Sequence, residues 1–324
     1  MLESRIQPRC KAYMKRLFLD RTALVRQTEH VQDTAKHYGI TDLTILKVRR
    51  DRVIARGEHP DWGRVAIKST DPFLDSVPAN SAHHTDSLVA SDPALFLPHI
   101  HACGLGHSVS EWIEGRHLHD VDQSSCESLP VTQFVDALGQ WCSRKSAERP
   151  LAPSAITSIV RFYVETTVRR MGYHSVSNCI RACVAFRRHA QRLTGYVDEM
   201  VGLASEVQLD ETLMFSDVQT WNVLYSQRDA RLVLVDHEAL RPGNWLFDAV
   251  FWFSSLMIYR VPRPVLYTVA GHLFSRNYMP AEETARFFRS FAAYVVETFM
   301  TIDGCGRAEI EPNLDIIEGA MAGQ

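Results

Sequence analysis

Hydrophobic positions in the first part of the chain change period near residue 40. Over residues 10–38, Tyr13, Leu17, Leu24 and Val31 recur at spacings of four and seven with Lys and Arg between them. That spacing predicts one amphipathic helix, and Gly39 supplies its stop. From Asp42 to Thr70 the period shortens to two. LTILKV, RVIAR and RVAIKS read as strands, with EHPDWG as the turn between the last two. A helix is predicted over 81–90, then strands over 96–103 and 107–113, separated by Gly104 and Gly106. Strands with one embedded helix make a small α+β lobe. The N-terminal helix is expected to pack on that lobe; contact of its basic face with an anionic membrane is the weaker alternative.

After Gly115 the pattern turns helical. Helices are predicted over 131–146, 155–171 and 177–205, the second with an apolar stripe of Val160, Val164, Val168 and Met171. The segment 214–236 interrupts them with a loop and short strands. Helices resume over 245–259, 264–274 and 281–302, and the polar, glycine-containing tail from Asp303 is expected to be loosely held. The 324 residues exceed what one hydrophobic core serves. The division expected is an N-terminal extension over 1–40, a sheet lobe over 41–114 and a mainly helical lobe over 115–324.

A net charge of −3 argues against a surface built to grip nucleic acid. The seven cysteines are odd in number and form no C-x-x-C, which fits reduced thiols in a cytoplasmic protein. The N-terminus lacks the apolar core of a secretory signal. The apolar run 245–259 is broken by Asp248 and falls short of a membrane span.

Candidate chemistry concentrates in FSDVQTWNVLY and RLVLVDHEALRPGNWLFDAVFW. Asp217 and Asn222 lie five apart in a loop entering the strand 223–225, and the strand 231–235 delivers Asp236 at its end. Two strands joined by a turn place their polar termini side by side, so Asp217, Asn222 and Asp236 are expected at one spot. Phosphoryl transfer needs such a set: one carboxylate to orient and deprotonate a hydroxyl, and an amide and a second carboxylate to hold magnesium.

These segments resemble the catalytic and metal-binding loops of kinases, and the second is similar to the aminoglycoside phosphotransferase and choline kinase superfamily, with Asp236, Glu238, Gly243 and Asp248 at the matching positions. The resemblance implies a bilobal protein-kinase-like fold, with a small β-sheet lobe carrying one helix and a larger helical lobe. It implies Asp217 as catalytic base, Asn222 and Asp236 as magnesium ligands, Glu238 as loop support and Asp248 as a structural tie to the next helix. In the small lobe, Val65-Ala66-Ile67-Lys68 looks like the kinase V-A-I-K strand. Alternation puts Ala66 and Lys68 on one face, and the resemblance implies Ala66 against adenine and Lys68 toward the phosphates. The segment 110–115 resembles the hinge, where Glu111 and Ile113 would meet adenine through their backbones.

The function so implied is transfer of phosphate from ATP, or another nucleoside triphosphate, with Mg2+ to a hydroxyl of a small molecule such as an aminoglycoside-like antibiotic, a sugar or an amino alcohol. Phe215 stands where the superfamily has His, Ser216 where it has Gly or Arg, and Arg49-Arg50-Asp51-Arg52 where a glycine-rich loop is expected. The helix glutamate that should pair with Lys68 is missing, and Asp86 is the nearest acid at a plausible distance. These departures motivate one alternative, a pseudokinase-like binding module without turnover; a kinase acting on a cell-surface sugar or a protein is a second alternative. His99, His101, Cys103 and His107 invite a zinc reading, the first three on one strand face by alternation. They are read as packing or surface residues, because four-coordinate closure is not evident.

Overall fold

The computed structural model describes residues 21–48, 52–70, 78–104, 106–121, 129–171, 176–237 and 240–319. The expectations for the helix before residue 21, for the turn at Arg49-Arg50-Asp51 and for Glu238 lie outside the described residues. The chain is an α+β protein of two compact units, Met1–Pro93 with Pro98–Trp112, and Ala94–Leu97 with Ile113–Gln324.

The first unit is an antiparallel sheet of β1 (Thr41–Val48), β2 (Arg52–His59), β3 (Gly63–Thr70), β4 (Ile100–Gly104) and β5 (His107–Glu111), in the order β1-β2-β3-β5-β4. Helix α1 (Arg21–His37) precedes it and α2 (Pro78–Ser91) follows β3. Val53, Ala55, Val65, Ile67 and Val109 alternate onto one sheet face and bury against Val31, Ala35 and Ile40, so α1 packs on its own unit as expected. Polar pairs fix the docking: His30 Nδ1 lies 2.8 Å from Ser69 Oγ, and Tyr38 Oη 3.3 Å from His107 Nε2. Gly39, with φ +68°, ends α1. Its N–H meets Lys36 O and that of Ile40 meets Ala35 O, which satisfies two carbonyls of the last turn.

The other face belongs to Lys68. The register sets Lys68 opposite Ser108, and Ser108 opposite Cys103. Cross-strand partners share a face. Ser87 Oγ of α2 lies 3.7 Å from Cys103 Sγ, so α2, with the buried Asp86, covers the Lys68 face.

Two expectations are corrected here. The strand predicted over 96–103 begins only at Ile100. Phe96 and Leu97 belong to the second unit, where Phe96 O accepts the Leu234 N–H at 2.8 Å and its ring meets Phe134, Trp141 and Phe215 edge-on. In addition, a bulge between Ile100 and Ala102 breaks the alternation. His101 stacks on Trp62, which packs on the α1 side, while Cys103 faces α2, so these two do not share a face.

The second unit contains a three-stranded sheet, β6 (Gly115–His117), β8 (Val223–Ser226) and β9 (Arg231–Leu234), and a short pair, β7 (Thr212–Met214) with β10 (Arg241–Gly243). Its helices are α3 (Val131–Ser143), α4 (Pro153–Met171), α5 (Val176–Leu203), α6 (Trp245–Ile258), α7 (Arg263–Leu273), α8 (Glu282–Ile302) and α9 (Arg307–Gly319). On α4 the buried stripe is Ile156, Ile159, Val160 and Tyr163, displaced from the predicted one; Val164 is only half-buried, and the side chains of Val168 and Met171 lie outside the description.

The tail is the third correction. It is not loosely held but forms α9, whose Ile310, Leu314 and Ile317 recur at i, i+4 and i+7 and are buried. Pro312 and the glycines ahead of it mask that period in the sequence. Arg192 of α5 joins the helices by donating both to Glu297 of α8 and to Glu311 of α9. Among the described residues no helix is long and apolar enough to cross a membrane.

Candidate active site

The site in the second unit is built on α6. Thirteen consecutive residues of this helix, Trp245 to Met257, are buried, so it forms the core of the unit rather than its skin. Asn244 caps it: Oδ1 accepts the Leu246 N–H at 2.9 Å, and Nδ2 donates to Asp210 O at 2.8 Å. Three polar side chains interrupt the apolar helix: Ser254 donates to Val250 O within the helix, while Asp248 and Ser255 lie seven residues and so two turns apart on one face. Both point at the loop between β7 and β8.

Asp248, in the first turn, is fully buried. Its Oδ2 accepts the Phe215 N–H at 2.5 Å and its Oδ1 the Ser216 N–H at 2.8 Å. Burial raises its pKa to about 7, while these two donors and Arg241 pull it down. The clamp holds Ser216 at φ +64°, a left-handed conformation costly for a residue with a Cβ. Ser255 fixes the other end: its Oγ accepts the Thr220 N–H at 2.9 Å, lies 2.7 Å from Thr220 Oγ1 and donates to Trp252 O. Phe215 is itself an anchor, its ring stacked on Trp141.

Asp217 stands between these two fastenings. Asn222 Nδ2 donates to the Asp217 backbone O at 2.9 Å and to its Oδ2 at 3.2 Å, and Gln219 Nε2 donates to Oδ1. The Val235 N–H donates to Asn222 O at 2.7 Å, one step beyond the Val223–Leu234 pair of β8 and β9. Asp236 therefore leaves the ladder beside Asn222, and Asp217, Asn222 and Asp236 gather at one end of the β8–β9 ladder. By turning its amide hydrogens to Asp217, Asn222 leaves its Oδ1 for another partner, and no described residue donates to it. An amide oxygen beside two carboxylates is the hard oxygen donor set that magnesium takes.

In the first unit, Ala66 and Lys68 share the half-buried face of β3, while Val65 and Ile67 are fully buried on the other. Asp86 lies on the helix covering the Lys68 face. Glu111 ends β5; its N–H donates to His99 O and its Oε2 accepts the His99 N–H. Ile113 is buried and begins the second unit, so the chain passes between units over residues 111–113. Gln219 and Ser255 were missed in the sequence. The signal for Ser255 is the polar interruption it shares with Asp248; for Gln219 there is none.

No protein-family model and no curated protein matches this sequence. Solved structures do. An amicoumacin kinase, in complex with AMP-PNP, Ca2+ and its ligand, superposes with a TM-score of 0.55 at 10% identity, over 97% of this chain and 96% of that one. The aminoglycoside phosphotransferase APH(4)-Ia gives 0.51 at 13% identity over 91% and 96%. A Plasmodium vivax ethanolamine kinase gives 0.50 at 11% over 89% and 86%. This chain has the protein-kinase-like fold. At such identities the likeness concerns the fold, and within the protein-kinase-like fold the chemistry of this chain must be argued from its own residues.

Proposed function

We propose that the protein is a phosphotransferase that moves the terminal phosphoryl group of ATP to a hydroxyl of a small molecule. The observation that carries this reading is the braced triplet: Asp217 held by Gln219 and Asn222, with Asp236 leaving the adjacent strand end. Asp217 orients the acceptor hydroxyl and takes its proton as the oxygen attacks the terminal phosphorus of ATP, whose bond to the bridging oxygen breaks and releases ADP. Gln219 and Asn222 keep that carboxylate from rotating, so its reorganisation during transfer is small. Asn222 Oδ1 and Asp236 would hold Mg2+, which supplies neutralisation of phosphate charge. Ala66 would lie against adenine, with Glu111 and Ile113 meeting its edge, and Lys68 would contact the phosphates, steadied by Asp86. The structural neighbours support the class, since the three named above are described as an amicoumacin kinase, an aminoglycoside phosphotransferase and an ethanolamine kinase.

A purified sample should consume ATP only with a divalent metal and an acceptor drawn from a panel of hydroxyl-bearing antibiotics, sugars and amino alcohols. Asp217→Asn should abolish this while leaving the thermal midpoint within a few degrees. A binding module would instead be stabilised by ATP with no turnover across the panel, and a protein kinase would place label on protein. Either result would displace the reading.

A further inference from the structure

Over residues 215–221 only Asp217 and Trp221 escape burial. Trp221 lies in the short helical turn Thr220–Asn222, and its two neighbours there are committed elsewhere. Thr220 is fully buried and bonded to Ser255 of α6, while Asn222 turns back to Asp217, its Nδ2 3.2 Å from Oδ2. Trp221 points outward and is 48% exposed. Its Cα is about 3.8 Å from that of Asn222, the distance across one peptide. An accessible indole therefore stands one residue from a group that touches Asp217.

The indole is exposed but not loose. It meets Tyr259 edge-on with 4.8 Å between ring centroids, and His117 and His119 at 5.4 and 5.1 Å. The two imidazoles stack on each other at 5.3 Å. His117 is set by the pairing of β6 with β8, opposite Leu224. Tyr259 follows Ser255 by one helical turn and donates its N–H to Ser255 O at 3.0 Å. The end of α6 thus braces Trp221 just as Ser255 fastens Thr220. Rings packed edge to face hold one another's orientation. A rigid indole loses little freedom when a ligand covers its remaining surface, so that burial is favourable.

We propose that Trp221 is a specificity-determining wall of the acceptor site: a ring of the acceptor lays its apolar face on the indole while its hydroxyl reaches Asp217. The inference rests on the phosphotransferase reading of the Asp217 loop and narrows it to acceptors with such a ring. Open-chain polyols and amino alcohols have no flat apolar face and leave the indole uncovered.

Two measurements on the full chain test this, with phenyl glucoside and methyl glucoside as ring-bearing probes and glycerol and ethanolamine as open-chain ones. The first is acrylamide quenching of the Trp221 fluorescence, taken as the difference between wild type and Trp221→Phe, with AMP-PNP and Mg2+ present. The ring-bearing probes should shield the indole and the open-chain probes should not. The second is ADP release from ATP with the same four acceptors. Trp221→Ala should raise KM for a ring-bearing acceptor by about twofold to tenfold, a change in KM rather than kcat, and Trp221→Phe should recover most of it. Turnover with the same KM in all three proteins, or turnover confined to the open-chain acceptors, overturns the inference and leaves the phosphotransferase reading intact. So does weaker AMP-PNP binding by Trp221→Ala with the acceptor KM unmoved, which assigns the indole to the nucleotide. Shielding by the ring-bearing probes without turnover of any acceptor supports the wall and overturns the phosphotransferase reading instead. Neither shielding nor turnover overturns both.

Discussion

Asp248 and Ser255 stand two turns apart on one helix and fasten the two ends of the loop that carries Asp217. The loop's rigidity is thus borrowed from the most buried helix of the unit. Ser255→Ala would strand the Thr220 N–H in a buried site. Urea unfolding should report a loss of about 1–3 kcal/mol. Turnover should fall while nucleotide affinity is kept, because only the loop's placement is relaxed. An unchanged unfolding midpoint would show that Thr220 finds another acceptor.

Asp248 also predicts a pH dependence. Burial raises its folded pKa to about 7, well above the 3.8 of an ordinary aspartate. A carboxyl raised in this way contributes most to stability below its unfolded pKa, and the contribution is lost as pH rises through the folded value. Asp248→Asn cannot titrate and has one acceptor where the loop offers two N–H donors, so it is destabilised at low pH. The gap in Tm between wild type and Asp248→Asn should therefore narrow as pH rises from about 4 to about 7. A gap that widens over this range would mean the carboxylate is held ionised by Phe215 and Ser216.

Much of this arrangement is legible in the chain because it depends on local period. Alternation along β3 separates Lys68 from Ile67, and a strand pair joined by a short turn must bring Asn222 and Asp236 to one end. The parts that were not legible depend on distant partners. Nothing near Phe96 tells that it leaves the sheet to pack with Phe215, more than a hundred residues on. The bulge at Ile100 to Ala102 has no marker residue, yet it separates His101 from Cys103. Helix α9 was hidden by Pro312, although its apolar spacing was present. Gln219 gains its meaning only from the loop geometry that turns it back on Asp217.

Glu297 gives a third prediction. It is wholly buried on α8, with His189 Nδ1 at 2.5 Å from Oε1 and Arg192 Nε and Nη2 at 3.0 and 2.8 Å from Oε2. Glu297→Gln preserves shape but removes the buried counter-charge of Arg192, which keeps only its part-exposed pair with Glu311, a change of about 1–3 kcal/mol. Arg307→Ala, which breaks the exposed pair with Glu311, should leave the unfolding midpoint where it is. Equal effects from the two variants would mean that burial does not set the strength of these pairs.

Gly243 makes the last case. It pairs with Thr212 where β10 passes β7, and a Cβ built there would meet Met214 Sδ at 2.2 Å and Cγ at 2.7 Å. Both are atoms of a flexible side chain, but Met214 is fully buried and has little room to retreat. Gly243→Ala should cost about 1–3 kcal/mol and, because Met214 immediately precedes Phe215, should lower turnover as well. Met214→Ala removes the obstructing atoms at the expense of a cavity. If the clash is the cause, the double variant is less destabilised than the sum of the singles, a coupling that a double-mutant cycle reads directly. Strict additivity would place the requirement for glycine in the backbone instead.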